Sequence, residues 1–329
     1  MIKIIEEARS LVLKKIPFVA ATIIFKHGSA PREVGATMLV TSDGRYAGTI
    51  GGGSQEYEVS NHAVELLEKK QSENVKYEVS KITAANLGMV CGGCNTIHYQ
   101  YIDVTNKKTL EYLDKIIESV EDNDVYLVYN IKEDLGISIE INGKLYPFTS
   151  GSNTYKEEDL FKTKIKNPMK VFIFGGGHIA KAAANLFKFL NLDVTVIDDR
   201  KDFITEKDFP GIKKIIMDFS EIDCIDIRKS DYVCIMTRGH QHDITVLESV
   251  LKKEPYYIGV VGNKYKAVSY KEHFTNTDLE NIYNQKVHLP VGIKISALTP
   301  EEIAVSIAGE IIQSYRSYRI KKNTSSLFK

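Results

Sequence analysis

Val171-Phe-Ile-Phe-Gly-Gly-Gly-His-Ile-Ala180 decides the fold of the second half of this chain. Val171–Phe174 is an uninterrupted apolar run and reads as a fully buried strand. The helical pattern Ile179–Leu190 follows, and Val194–Ile197 is the next strand. Glycines at Gly175 and Gly177 and a small residue at Ala180 give the spacing G-x-G-x-x-A between strand and helix. Gly175 permits the tight turn, Gly177 lets the backbone approach a pyrophosphate, and Ala180 lets the helix pack on the sheet. The helix start, with His178 beside the glycines, favours the negative charge of a ligand. Asp198 closes the next strand, where a carboxylate can accept ribose hydroxyls, although Asp199 beside it offers the same chemistry.

Working outward, Ile215–Met217, Tyr232–Met236 and Tyr257–Val261 are further short apolar runs with helical segments between several of them. Strands alternating with helices predict a Rossmann-like, doubly wound parallel sheet. Such a unit can hold a nucleotide; the plainer alternative is that the glycines serve packing alone. Thr237-Arg-Gly-His-Gln-His-Asp243 follows one strand at the carboxyl end, where ligands of such sheets sit. Arg238 suits phosphate, and His240 and Asp243 suit polar or acid–base contacts. The bland alternative makes Asp243 a helix cap for Ile244–Leu251 and leaves the histidines on the surface, which fits His242 best. A zinc site from His240, His242 and Asp243 matches no common zinc spacing. Gly259–Lys264 is a second glycine-containing strand end.

The first half is organised differently. Phe18–Phe25, Ala36–Val40, Tyr46–Ile50, Val75–Val79, Thr96–Ile102, Val125–Asn130 and the hairpin Ser138–Tyr146 read as strands, with helices over Met1–Leu13, from Glu56 to about Lys69, and over Leu110–Val120. This predicts a mixed α/β domain over 1–149, a polar linker over 150–168 and the Rossmann-like domain over 169–329. Three loops stand out: Gly28-Ser-Ala-Pro-Arg32, Gly48-Thr-Ile-Gly-Gly-Gly-Ser54 with Glu56, and Gly88-Met-Val-Cys-Gly-Gly-Cys94. Glycine runs expose backbone N–H groups as anion-binding nests, so Gly51, Gly52 and Gly53 ahead of a helix are a candidate phosphate or carboxylate cradle. The alternative is a set of turns that merely need positive φ. Cys91, followed by Gly92 and Gly93, is a candidate nucleophile or soft metal ligand among N–H donors. Cys91, Cys94 and His98 together offer three zinc-type ligands but lack a fourth. Cys234 lies in an apolar strand and reads as a small buried hydrophobe.

The chain has 329 residues, 43% of them hydrophobic and 26% charged, with 43 basic and 43 acidic side chains. That is ordinary globular composition, long enough for two cores. Zero net charge implies neither a nucleic-acid nor a membrane partner, and it does little to oppose a homodimer. Acids at Glu6 and Glu7 and the lack of an apolar core segment argue against a signal peptide, so a cytoplasmic location with reduced thiols is expected. The stripe along Pro300–Ile312 reads as core packing, with a dimer or client surface as the minority option.

Taken in order, several stretches resemble the XdhC/CoxI family of accessory proteins for molybdenum hydroxylases. They are Gly28–Ala36, Gly48–Gly53 with Glu56, Met89–Gly93, Val171–Ala180, Ile197–Arg200, Thr237–His240 with Asp243, Gly259–Lys264, and Leu289–Ile293 through Thr299–Glu310. The resemblance implies a protein that binds the molybdenum cofactor, a molybdopterin. It would protect the cofactor, support its sulfuration and deliver it to an apo molybdenum hydroxylase such as xanthine dehydrogenase. It would do so as a chaperone without turnover of its own, commonly as a dimer. It also implies a thiol role, and so a molybdenum contact, for Cys91; Cys94 departs from the common pattern. On this reading Arg32, Gly51–Gly53, Glu56 and Cys91–Gly93 face the pterin and metal. Gly175, Gly177, His178, Asp198, Arg238, His240 and Asp243 hold the nucleotide of a dinucleotide form, the two groups facing each other across an interdomain cleft. One rival is an NAD(P)-dependent oxidoreductase with His178 or His240 as proton donor. Another is a sulfur or selenium carrier that accepts a persulfide on Cys91 from a cysteine desulfurase.

Overall fold

A computed structural model describes residues 1–28, 32–79, 93–132, 136–147, 156–165 and 167–326. The chain divides into two compact units, Met1–Asn167 and Pro168–Lys329.

The first unit is built on a five-stranded antiparallel sheet. Its strands are β1 (Phe18–Gly28), β2 (Thr37–Thr41), β3 (Gly44–Gly48), β4 (Glu73–Val79) and β5 (Gly93–Ile102), in the order β3-β2-β1-β5-β4. Alternation along β1 sorts its side chains. Val19, Ala21 and Ile23 join Val59, Ala63, Leu66 and Leu67 of helix α2 (Gly53–Lys69) in one core. Phe18 faces the other way, into a core shared with α1 (Ile2–Leu13) and α3 (Lys107–Ser119). A second sheet closes that core. It comprises β6 (Val125–Asn130), β7 (Ile137–Ile141), β8 (Lys144–Pro147) and β9 (Leu160–Lys164), in the order β8-β7-β6-β9.

β9 corrects the expected linker. Residues 160–164 pair with β6 from Asn130↔Leu160 to Tyr126↔Lys164, so this part of 150–168 belongs to the first unit. Its lysines disguise a strand whose Phe161 lies 5.7 Å from the Tyr129 ring and which runs into the buried Ile165.

The second unit is a six-stranded, wholly parallel sheet. Its strands are β10 (Lys170–Phe174), β11 (Asp193–Asp198), β12 (Lys213–Ile216), β13 (Tyr232–Ile235), β14 (Tyr257–Val260) and β15 (Val287–His288). Their order, β12-β11-β10-β13-β14-β15, is that of a dinucleotide-binding fold, with the switch point between β10 and β13. Val171 and Ile173 point to one face, covered by α4 (His178–Phe189) and by Ala304, Ile307, Ala308 and Ile311 of α8 (Pro300–Ser326). Phe172 and Phe174 point to the other, covered by α5 (His240–Lys253) and α6 (Lys264–Phe274), after which α7 (Glu280–Lys286) leads to β15. The stripe predicted on α8 is thus core. Cys234 is fully buried in β13, and burial pushes its thiol up to about 12, well away from reactivity. Among the described residues no helix is long and apolar enough to cross a membrane.

Candidate functional site

At the carboxyl ends of β10 and β13 the three glycines of the fingerprint part company. Gly175 has φ +117°, and a Cβ there would stand 2.3 Å from the Met236 carbonyl oxygen, so the residue joins two strands at a distance only glycine allows. A Cβ on Gly176 would meet Ile204 and the Phe203 carbonyl. A Cβ on Gly177 would meet nothing within 4 Å. Gly177 opens instead onto a cavity of about 500 Å³ that it lines with His178, Ile179, Ala180, Met236, Thr237, Val261, Lys266, Leu298, Pro300 and Ile303. The cap of α4 at Gly177 has no side-chain partner, so the first amides of that helix keep their donors.

Asp198 does not play the expected part. It is 1% exposed, and its Oδ2 accepts the Gly176 amide at 2.6 Å and Arg200 Nη2 at 2.9 Å. Its Oδ1 accepts the Arg200 amide and Nε, both at 2.9 Å. Burial alone would raise the carboxyl pKa, but the Arg200 bonds and the Gly176 amide hold it below the usual range. A ribose hydroxyl reaches Asp198 only by displacing Arg200, whose guanidinium also stacks on Phe203 at 3.6 Å. Asp198 therefore braces the glycine turn. Asp199 is shared between two arginines: its Oδ2 accepts Arg238 Nη2 at 2.9 Å, which joins the ends of β11 and β13, and its Oδ1 lies 3.5 Å from Arg200 Nε.

Asp243 is the other correction. The cap of α5 is Gly239, and Asp243 sits fully buried in the first turn. Its Oδ1 accepts the Thr237 amide at 3.2 Å and the Thr237 hydroxyl at 2.6 Å. Its Oδ2 accepts Tyr270 Oη–H at 3.1 Å and Lys266 Nζ. With both oxygens so engaged, Asp243 is unavailable to zinc, and among the described residues no cluster of three His, Cys, Asp or Glu side chains is poised for a metal. His240 and His178 are exposed, and the His240 ring lies 4.8 Å from that of Tyr270. Lys266 and Tyr270 escaped sequence reading, which stopped at Lys264; the basic run Asn263-Lys-Tyr-Lys266 after a glycine strand end was the available signal.

In the first unit, strand register gathers the unusual loops. His27 stands opposite Cys94 and Gly28 opposite Gly93, so the ends of the first and third loops share one end of the sheet. Gln55, in the first turn of α2, exchanges amide hydrogen bonds of 3.0 and 3.3 Å with Asn95, which brings the second loop to the same place. Gly51, Gly52 and Gly53 all have positive φ, and a carboxylate of the chain itself takes up amides of this turn. Glu56 Oε2 accepts the Ile50 and Gly52 amides at 3.0 Å each, and the Thr49 hydroxyl. Burial would raise the Glu56 pKa, but these donors and Arg45 at 3.5 Å bring it below the usual range. Among the described residues the buried Ser54 hydroxyl beside them has no hydrogen-bond partner. Arg32 is exposed, and Cys91 and Gly92 lie outside the described residues. His98 cannot share a metal with Cys94: four strand positions separate them by about 13 Å, and both ring nitrogens of His98 already face Asn74 and Gln100.

Residues 171–311 match the XdhC Rossmann domain, and residues 11–78 match the XdhC and CoxI family. The chain belongs to the XdhC and CoxI family. A Bacillus subtilis (strain 168) protein, named as a probable component of xanthine dehydrogenase, is 28% identical over 90% of this chain and 92% of its own length. The molybdenum cofactor insertion chaperone PaoD of Escherichia coli (strain K12) is 20% identical over 89% of this chain and 82% of its own. The crystal structure of a Bacillus halodurans protein described as a xanthine dehydrogenase superposes with a TM-score of 0.80 at 25% identity, covering 95% of this chain and 96% of that one. Both units of this XdhC/CoxI protein are therefore found together in its relatives.

Proposed function

We propose that this XdhC/CoxI protein is a maturation chaperone for molybdenum hydroxylases. It binds the molybdenum cofactor, protects it, supports its sulfuration with a cysteine desulfurase as sulfur source, and hands it to an apo-enzyme of the xanthine dehydrogenase kind. The observation that carries this reading is the match to a cofactor insertion chaperone along 89% of the chain, both units included, rather than along the Rossmann-like unit alone. The residues fit an anionic, oxygen-rich ligand. Among the described residues the Ser54 hydroxyl has no partner and can donate to it, and a Cβ on Gly52 would meet none of them within 4 Å, which leaves room for it. Cys91 is the proposed soft ligand to the metal, Arg32 a cation for the cofactor's phosphate, and the uncapped amides of α4 a seat for an attached nucleotide.

The test is to purify the protein anaerobically from a molybdate-supplied host and to measure bound molybdenum and pterin in wild type and Cys91→Ala. Near-stoichiometric pterin and molybdenum in wild type, lost in the variant, are expected. Tight NAD(P) binding without pterin would overturn the reading in favour of an oxidoreductase.

A further inference from the structure

Residues 293–298 of the second unit form a strap that ends at the cavity wall in Leu298 and is held at its two ends. At the first end the Gly292 amide donates to Glu310 Oε2, the Ile293 amide to the Ser306 carbonyl at 3.2 Å, and the Ser306 hydroxyl to the Ile293 carbonyl at 2.7 Å. Gly292 has φ +106°, and a Cβ there would stand 2.2 Å from Ser306 Oγ, so this end needs glycine. At the other end the Leu298 and Thr299 amides donate to Glu302 Oε2 at 2.7 and 3.1 Å, and Thr299 Oγ1 accepts the Glu302 amide at 3.2 Å, a capping box at the start of α8. Between these anchors, among the described residues, no hydrogen bond holds the backbone of 294–297. Ser296, at φ +58°, sits in the left-handed region that residues with a Cβ rarely adopt. The strap is apolar where it meets water: Ile293 is 39%, Ile295 45% and Leu298 87% exposed. Leu298 is thus both a wall of the cavity and the most exposed large apolar side chain among the described residues.

We infer that residues 293–298 are a lid for the cavity, which closes over an anionic ligand. The inference rests on the nucleotide seat proposed above for the second unit and adds a moving part to it. The two anchors act as hinges, and 294–297 swings between them, so the bonds to Glu302, Glu310 and Ser306 stay in place. A backbone with few bonds of its own moves at low cost, and segments of this kind serve as lids. Closing turns the Leu298 side chain out of water and against the bound molecule. It also carries Lys294, exposed and without an ion pair among the described residues, towards the negative charge of the ligand. Both contacts exist only in the closed arrangement, so the ligand binds that arrangement more tightly. Such a difference in affinity is what allows a ligand to shift a conformational equilibrium. Leu298 is the latch and Lys294 the attracting charge.

The experiment is hydrogen–deuterium exchange of the full chain, free and with ADP-ribose. Dissociation of the fluorescent etheno derivative of ADP-ribose is followed by stopped flow in wild type, Leu298→Ser, Leu298→Met and Lys294→Gln. ADP-ribose should slow exchange of the amides of 294–297 on the order of tenfold. Leu298→Ser should speed dissociation about tenfold. It should leave association and the melting temperature as in wild type, because the side chain it shortens stands in water in the free protein. Leu298→Met keeps the apolar surface and should release at close to the wild-type rate. Lys294→Gln should speed dissociation about threefold. ADP-ribose bound with exchange of the strap unchanged, or released at one rate by wild type and Leu298→Ser, overturns the lid and leaves the nucleotide seat standing. No binding of ADP-ribose to wild type removes the seat and the lid with it.

Discussion

His98 makes the stability of the first unit depend on pH. The imidazole is fully buried in β5, with Nδ1 2.8 Å from Asn74 Oδ1 and Nε2 3.2 Å from Gln100 Oε1. Both amides must turn their oxygens to the ring. Asn74 Nδ2 donates to the Ile131 carbonyl at 2.9 Å, and Gln100 Nε2 to the Tyr101 carbonyl at 3.1 Å. A neutral ring satisfies one of these oxygens and presents a lone pair to the other, so the polar partners favour the imidazolium while burial opposes it. Charge-assisted bonds contribute about 1.5–3 kcal/mol each at good geometry, but the 3.2 Å contact is the poorer of the two and no carboxylate accompanies it. Burial wins, and the ring is pushed down from 6.5 to about 4. The unfolded ring takes its proton near 6.5 and the folded ring only near 4, so between these values the unfolded state binds more protons. Stability present above pH 6.5 is therefore lost on acidification, on the order of 3 kcal/mol in all and about 2 kcal/mol by pH 5. Urea unfolding at pH 7 and pH 5 should show wild type losing about 2 kcal/mol more than His98→Gln, and the ring C–H shifts should stay those of neutral imidazole to pH 5. Equal losses in the two proteins, or a ring that titrates above 6, would refute the reasoning and give the decision to the two amide oxygens.

Arg200→Ala leaves the Asp198 carboxylate buried and unpaired, and should cost about 3–5 kcal/mol in chemical denaturation; a loss under 1 kcal/mol would show that Asp198 is not held as described. Gly175→Ala drives a methyl group to 2.3 Å from a backbone oxygen at φ +117° and should leave the second unit unable to fold, read as loss of cooperative melting, whereas Gly177→Ala should melt as wild type does. Glu56→Ala strands the Ile50 and Gly52 amides and should destabilise the first unit by about 1–3 kcal/mol. Because the Glu56 pKa is held below its ordinary 4.5, that contribution should persist above pH 4.5 and fade as pH drops through the lower folded value, a difference that disappears in Glu56→Gln.

The second unit was legible because its signals are local. The run Val171–Phe174, the glycine spacing and the strand–helix alternation each rest on a few adjacent residues, and the parallel sheet follows from them. β9 was not legible, since a strand written as Leu160-Phe-Lys-Thr-Lys164 shows its alternation only when paired with β6. In the site, the positions of Gly175, Gly177 and the glycine nest could be read, but not the occupants of their donors. Glu56 was read as a ligand contact and fills the nest; Asp198 was read as a ribose acceptor and grips Arg200. These outcomes depend on which side chain reaches a given amide in three dimensions, and a one-residue spacing such as Asp198-Asp199 carries no such information. Lys266 was missed for a related reason: its importance comes from Asp243, which is close only once α5 and α6 pack on the same face.

Three carboxylates thus act alike at three loops. Glu56 binds the Gly51–Gly53 turn, Asp198 the Gly175–Gly177 turn, and Asp243 the turn after β13. Each draws in the donors that shape its loop, and among the described residues two sets of donors are left over: the Ser54 hydroxyl in the first case and the uncapped amides of α4 in the second. A loop whose internal carboxylate is already bonded does not have to reorganise when a ligand arrives, so little of the binding free energy goes into ordering it. The remainders are all donors. An unfilled nest accepts any anion that fits; here the accepting positions are reduced to a few fixed N–H and O–H groups, in the second unit beside apolar walls.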